Sequence, residues 1–391
     1  MLSHKKIDVV YERQWNPLNN LIAALISSGH MGKLYGGFPK FRYAAYGIPP
    51  QIIRTFPIAA LYNHLLQKVG LPKQFRLNEP RWIGKWVARQ KGLAPIIWAN
   101  GTAFRFLFPN LKDHQRMLIL ERGSSHPEDV YWLPQLARKE AGLPYSNELP
   151  TAIIDEIQKI SLCDFIIAGS QMITESYVSR GYPKERIFSV SYGINPSAYP
   201  LVQRKVKDSS TIVIGIAGIV GFRKGFNRML RIGEWAAERG FDVELRFAGP
   251  LYDRECLGLL ATSQAKCTLL GTLKGEDLID FYHSLDVIAL PSYEDGFGLS
   301  VLEGMSTGLP AIVSSKTGAK EAIKNSVNGA VLSQFSYQEF DTVLKPWLEN
   351  PESLATMGQE ARKAVEAQFT QKHYEQRLQT ALKKILVHQR S

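Results

Sequence analysis

Two doubly wound, Rossmann-like parallel-sheet lobes facing a cleft are the fold predicted by this 391-residue sequence, and three observations carry the prediction. Short apolar runs alternate with helix-period stretches along nearly the whole chain. A charged segment with two prolines, residues 195–210, interrupts that alternation. A second series then begins with a strand that runs into a glycine-rich turn. Alternating strands and helices imply α/β architecture with helices on both faces of parallel sheets, and the length suffices for two domains.

The strand candidates are Ile7–Tyr11, Pro95–Ala99, Met117–Leu120, Phe165–Ala168, Thr211–Ala217, Val243–Ala248, Thr268–Gly271, Asp286–Leu290, Ala311–Ser314 and Ala330–Leu332. Apolar residues dominate these short runs, as expected of strands buried on both faces. Helical stretches fill the intervals. In one of them Leu18, Leu21, Ile22, Leu25 and Ile26 share a face, with Asn16 and Pro17 as cap and first position. The expected divisions are a first lobe over residues 1–195, a linker over 196–209, a second lobe over 210–366 and a basic helix over 367–391. That last helix either ends the second lobe or crosses back to the first.

Charge is distributed unevenly. The formal net charge is +11. Residues 1–100 hold 14 Lys and Arg against Asp8, Glu12 and Glu79, while the rest of the chain balances. A charge confined to one lobe points to an anionic membrane surface or a phosphorylated acceptor. No nucleic-acid motif accompanies it. No apolar run is long enough to span a bilayer, and the N-terminal stretch lacks an apolar signal core. The three cysteines, Cys163, Cys256 and Cys267, have no metal-binding spacing and suit a reducing compartment. The expected location is therefore cytoplasmic, with peripheral attachment to the cytoplasmic membrane face. Residues 79–89 read as a basic helix with Trp82, Ile83, Trp86 and Val87 on one face and Arg81, Lys85 and Arg89 beside them. That face meets either a membrane interface or the lobe itself.

The most informative segment is PSYEDGFGLSVLEGMSTGLP, residues 291–310. A strand ends there in a turn with the acidic pair Glu294-Asp295, then Gly296-Phe297-Gly298, then a helix from Leu299-Ser300 that carries Glu303. Small residues let backbone N–H groups approach a ligand closely. The helix N-terminus favours an anion, and carboxylates can hold hydroxyls beside it. Carboxylates for sugar hydroxyls and donors for phosphate together read as a nucleotide-sugar site. At the start of the second lobe, TIVIGIAGIVGFRKGFNRML places Gly218, Gly221 and Gly225 in a turn, with Arg223 and Lys224 where a diphosphate would lie.

This pattern resembles the donor site of the family 4 retaining glycosyltransferases of the GT-B fold. Their signature is an acidic residue, seven others, then Glu, matched here by Asp295 and Glu303. The family's usual first residue is Glu, and Glu294 is the alternative counterpart. Ile219 stands where an Arg is usual, and Arg223 is the candidate replacement; Lys224-Gly225 matches the family's Lys-Gly. The resemblance implies that Glu303 binds ribose hydroxyls and that Asp295 binds the donor sugar and aligns its anomeric carbon. Arg223, Lys224 and the amides near Leu299 and Ser300 would stabilise the leaving diphosphate, and backbone at Gly271 and Leu273 would contact the base. His126 would either contact the donor sugar or sit in a surface loop. On the acceptor side the candidates are Glu121, Arg122, Arg13 and Asn16; the first-strand loop lacks the glycine pair common in the family. No cofactor and no metal is expected.

The implied activity is transfer of a sugar from a nucleotide-sugar to a saccharide or lipid-linked acceptor in cell-surface polysaccharide biosynthesis. The alternatives are a nucleotide-sugar epimerase or phosphorylase of the same fold, or a catalytically degenerate binding module docked on a membrane.

Overall fold

Thirteen parallel strands in two sheets carry the described part of the chain. The computed structural model describes residues 5–12, 16–69, 75–111, 116–202 and 211–388. In the first sheet β1 (Ile7–Tyr11), β2 (Met31–Gly36), β3 (Ile53–Thr55), β4 (Ile96–Asn100), β5 (Met117–Arg122), β6 (Phe165–Ala168) and β7 (Ile187–Ser189) take the order β3-β2-β1-β4-β5-β6-β7. In the second, β8 (Ile212–Ala217), β9 (Val243–Ala248), β10 (Lys266–Gly271), β11 (Val287–Leu290), β12 (Ala311–Ser314) and β13 (Gly329–Leu332) take the order β10-β9-β8-β11-β12-β13. Each sheet therefore reverses its winding once: between β1 and β4, where Ile7 pairs with Ile96, and between β8 and β11, where Val287 pairs with Ile214. At such a reversal the two following loops leave toward opposite faces and open a crevice.

Ten of the strands coincide, within a residue or two, with the apolar runs of the sequence. β2, β3 and β7 do not announce themselves. β2 reads MGKLYG and contains two glycines and a lysine, while β3 and β7 are three residues each. β3 and β7 close the two edges of the first sheet, where a short strand suffices.

The lobes are joined by more than the linker. Residues 203–209 of the expected linker lie outside the described residues. After residue 368 the chain returns to the first lobe. The Ile194 amide donates to Phe369 O (2.9 Å), and the Gln371 amide donates to Ile194 O (2.9 Å). A Cβ on Gly193 would stand 2.2 Å from Thr370 O, so only glycine lets these strands of backbone touch. Helix Gln371–His388 then packs on helix Asn16–Ser27 of the first lobe. Arg377 anchors it by donating to Ser191 O (2.8 Å).

A buried carboxylate sits near the winding reversal of the first sheet. Glu121 accepts hydrogen bonds from the Tyr11 hydroxyl, from Trp98 Nε1 (2.9 Å) and from the Tyr192 hydroxyl (3.4 Å). Burial pushes its pKa up, against the pull of those donors. The site links β1, β4, β5 and the segment that meets the C-terminal helix, so Glu121 is a fastening. We expect Glu121→Ala to leave at least two buried donors unpaired and to destabilise the fold by roughly 2–5 kcal/mol. Urea denaturation would read this, and Glu121→Gln should cost less because it keeps an acceptor oxygen.

Candidate donor site in the second lobe

The loops that leave β8 and β11 carry opposite charges, and they meet at the winding reversal. After β8 the backbone turns through Gly218 (φ 144°), and a short turn, Phe222–Lys224, leads to Gly225 in the left-handed region (φ 79°). A Cβ on Gly225 would lie 2.2 Å from Pro291 O, so glycine is required for the β8 loop to reach the β11 loop. Arg223 Nη1 then donates to Glu294 Oε2 (3.0 Å) and to Glu294 O (3.2 Å). Lys224 Nζ pairs with Asp295 Oδ2.

The two neighbouring acids have different surroundings. Glu294 is fully buried (0% exposed), and its other carboxylate oxygen accepts from the Ser125 amide of the first lobe (3.0 Å). Asp295 is 7% exposed and has its second oxygen on the Phe297 amide (3.3 Å). Glu294 thus joins the lobes, while Asp295 holds the lysine. This separation favours Asp295, spaced as the signature requires, over Glu294 as the residue that serves a ligand.

The signature helix is Leu299–Ser306, entered through Gly298 in the left-handed region (φ 88°). Leu299, Ser300 and Glu303 are partly exposed in an otherwise buried segment. The Glu303 carboxylate accepts from the Tyr282 hydroxyl (2.7 Å) and from the Tyr199 hydroxyl. Burial raises its pKa, and the tyrosine hydrogen bonds oppose that rise. Gly218, Ile219 and Gly271 are exposed and Arg223, Lys224 and Leu273 partly so. These residues sit at or just after the carboxyl ends of β8 and β10, so the open part of the site holds Arg223, Lys224, Glu303 and the helix start at Leu299-Ser300, with Glu294 and Asp295 buried behind the cations.

Residues 201–364 match the family model described as glycosyl transferases group 1. The match covers nearly all of the second lobe and none of the first. Curated relatives of the chain include the capsular polysaccharide biosynthesis glycosyltransferase CapM of Staphylococcus aureus, 23% identical over 220 residues, which are 52% of this chain and 57% of that protein. An uncharacterized glycosyltransferase of Methanocaldococcus jannaschii is 28% identical over 248 residues, 60% of this chain and 61% of that protein. The chain thus spans somewhat more than half the length of these relatives. Among solved structures, HepE of Anabaena in complex with UDP and glucose superposes with a TM-score of 0.66 over 97% of this chain and 100% of that one, at 15% identity. Sucrose-phosphate synthase from Thermosynechococcus elongatus gives 0.72 over 98% and 100%, at 17% identity. The fold is GT-B.

Several residues around this site were invisible as partners in sequence. Tyr199 and Tyr282 frame Glu303 from the start of the linker and from helix Glu276–His283. Arg228, buried, places its guanidinium 3.6 Å from the Tyr293 ring centre and donates to Pro291 O and Ser292 O (3.2 Å each), supporting the acidic turn from below. Its only sequence signal is its place one turn after Lys224-Gly225. Gly221, by contrast, is extended; a Cβ there would meet Asp253 Oδ2 at 2.5 Å.

Gly296 and Phe297 do not line the crevice. A Cβ on Gly296 would fall 1.9 Å from Gly123 O, and Ser170 Oγ donates to Gly296 O (2.7 Å). Phe297 is buried beside Tyr192 (5.7 Å between ring centres) and Phe369 (6.2 Å). The close backbone approach that the glycines permit is made to the first lobe.

The first-lobe candidates separate similarly. His126 is 2% exposed, neither a surface residue nor open to the crevice. Its ring packs edge-on against Tyr177 (5.3 Å) and caps helix Pro127–Glu140 by accepting from the Glu128 amide (3.4 Å). Arg122 is buried on Glu156 (2.9 Å) and Glu121 in the cluster above, so both are removed from the acceptor side. Asn16 opens helix Asn16–Ser27, and Arg13 lies outside the described residues. In helix Glu79–Ala88, Ile83 and Val87 are buried and Trp86 packs on Tyr35 and Phe56, so most of its apolar face belongs to the lobe. Trp82 stays half exposed, stacked on Phe56, and Arg81, Lys85 and Arg89 are exposed.

Two measurements follow from this packing. Burial lowers the His126 pKa from 6.5 to about 4, aided by nearby Arg180. Between those values the unfolded chain binds the extra proton, so stability should fall as pH drops through that window. The drop should flatten in His126→Asn, as followed by thermal melts across pH. Gly296→Ala must push the lobes apart and should lower the melting temperature, with a cost of about 1–3 kcal/mol or more.

Proposed function

We propose that the protein is a retaining glycosyltransferase that moves a sugar from a nucleoside diphosphate donor to a saccharide or lipid-linked acceptor in cell-surface glycan synthesis. The observation that carries this reading is the meeting of Arg223 and Lys224 with Glu294 and Asp295 at the β8–β11 reversal, beside the partly exposed Glu303. The names of the relatives support the donor class. HepE was crystallised with UDP and with UDP-glucose, and CapM is named for capsular polysaccharide biosynthesis. UDP-sugars are therefore the donors to test first.

In this reading the donor's diphosphate lies between the two cations and the amides of Leu299 and Ser300. Glu303 accepts ribose hydroxyls on lone pairs that the tyrosines leave open. Asp295, already fixed by Lys224, accepts a hydroxyl of the donor sugar. The bond between the anomeric carbon and the phosphate oxygen breaks, and the acceptor oxygen bonds to the same face of that carbon. The acceptor proton passes to the departing phosphate oxygen, so no protein base is required. Negative charge grows on the diphosphate in the transition state, and preorganised cations aimed at it lower the barrier. Arg223, Lys224 and the helix-start amides supply N–H donors to the diphosphate, and we propose turnover without a divalent metal.

Donor turnover by the full chain, followed as UDP release with a panel of UDP-sugars, tests the assignment. Lys224→Ala should lower kcat/KM by about 10²–10³, the loss typical when one donor to a developing anion is removed, and Glu303→Ala, which removes the acceptor for ribose hydroxyls, should lower it by about 10–10². Wild-type turnover in both variants would reject the site. The product's anomeric configuration by NMR should match the donor's. Activity should persist in EDTA; abolition by EDTA with recovery on adding a divalent ion would reject the metal-free reading. A bound nucleotide at one hundred times its Kd should add about 2.7 kcal/mol of stability.

A further inference from the structure

Helix Ile58–Lys68 turns its apolar side away from the protein. Its only buried residues are Ala59 and Leu66. Ile58 (59%), Leu61 (49%), Tyr62 (41%) and Leu65 (62%) are exposed, and Val69 (68%) continues the series just past its end. These positions recur at the helical period and form one stripe, of the kind a surface helix ordinarily points at its own core. Phe41, Tyr46, Phe75 and Trp82 are exposed in the flanking segments. Asn63 ties the helix to the segment carrying Phe75 and Trp82, donating to Leu77 O (2.9 Å) and Glu79 Oε1 (2.9 Å) and accepting from the Leu77 amide (2.7 Å). Trp82 in turn stacks on Phe56, directly after β3 (6.3 Å). The stripe, Phe75 and Trp82 therefore belong to the β3–β4 crossover, and Phe41 and Tyr46 lie on the preceding β2–β3 connection.

Charge decides what covers that face. Residues 38–91 contain ten Lys and Arg and a single acid, Glu79. Lys40, Arg42, Lys68, Arg76, Arg81, Lys85 and Arg89 are all exposed. A second copy of the chain would bring the same cations to the contact and be repelled. A bilayer containing anionic lipid offers an apolar layer bordered by negative headgroups, with an interface that favours Trp and Tyr. A groove of about 570 Å³ opens on the flank of the same helix, lined in part by Asn63, His64, Gln67 and Arg76, and has room for a headgroup.

We propose that the first lobe docks on an anionic bilayer through the Ile58–Val69 stripe, with Arg76, Arg81 and Lys85 set against the headgroup phosphates. The stripe starts three residues past the carboxyl end of β3. Ser125 and Ser170, which follow β5 and β6, contact the second lobe, so the carboxyl ends of this parallel sheet face the cleft. Docking therefore brings the bilayer to the cleft rim. This deepens the transferase reading by placing the acceptor in or on the membrane, while the docking itself can be measured without donor or turnover.

The test is cosedimentation of the full chain with phosphatidylcholine vesicles, with and without phosphatidylglycerol. Wild-type protein should bind the anionic vesicles at least about tenfold better than the neutral ones, and less in high salt. Leu61→Glu/Leu65→Glu should lose about tenfold or more of that binding. Arg81→Gln/Lys85→Gln should lose about tenfold and part of the salt dependence. Both pairs are solvent-exposed, and melting temperatures confirm that the variants are folded. Bromolipid quenching of tryptophan fluorescence in wild type against Trp82→Phe gives a second readout with minimal change, and quenching should be weaker in the variant. Binding indifferent to anionic lipid, a stripe variant that sediments like wild type, or equal quenching would each overturn the proposal. Self-association that disappears in Leu61→Glu/Leu65→Glu, without vesicle binding, would do the same and assign the face to a second copy.

Discussion

Two ion pairs at the β8–β11 reversal, Arg223 with Glu294 and Lys224 with Asp295, organise the rest of the molecule. Loops at a winding reversal diverge by geometry, so something must draw them back together. Here opposite charges do so, and Gly225 supplies the space for the approach. Glu294 has no exposed surface, and a carboxylate so placed is tolerable only when each oxygen has a partner. One oxygen takes Arg223 and the other takes the Ser125 amide. The same side chain therefore sets a cation and fixes the position of the opposing lobe. Arg228, stacked on Tyr293, donates to the Pro291 and Ser292 carbonyls at the start of the same turn.

The lobes meet through backbone as much as through side chains. Gly296 lies against Gly123, and a Cβ on Gly318 would lie 2.8 Å from Ser170 Cβ of the first lobe. Gly193 touches Thr370 in the same way. Contacts of this kind leave no slack for a methyl group, so they define one docked arrangement. Glu321 adds polar ties, accepting from Ser191 Oγ and from the Gln171 amide (2.5 Å each). The C-terminal helix completes the fastening by lying on the first helix of the chain.

Electrostatics and apolar surface divide between the lobes according to their tasks. The second lobe, residues 210–366, has more acids than bases and sets two cations at its crevice. The first hundred residues hold the whole excess of positive charge, and most of those cations flank a helix whose apolar face looks outward. Neither feature stabilises the fold, since like charges repel and exposed apolar area is unfavourable in water. Their coincidence on one crossover is what gives them meaning.

By itself the sequence determined the class of fold, the two series of parallel strands and the position of the signature Asp295–Glu303 in a strand-turn-helix unit. Those features rest on local periodicity and on turn chemistry, which neighbours in sequence decide. Tertiary structure decided which side chains share a space. The acidity of Glu121 and the basicity of Arg122 read as surface function along the chain, yet Tyr11, Trp98 and Glu156, distant in sequence, enclose both. His126 went the same way behind Tyr177. Gly296 and Phe297 look like ligand-loop residues until the first lobe arrives to occupy their surroundings. The outward stripe of helix Ile58–Lys68 shows the converse. Its pattern is that of an ordinary amphipathic helix, and periodicity carries no record of the direction a face points, because that direction is set by what the remainder of the chain leaves uncovered.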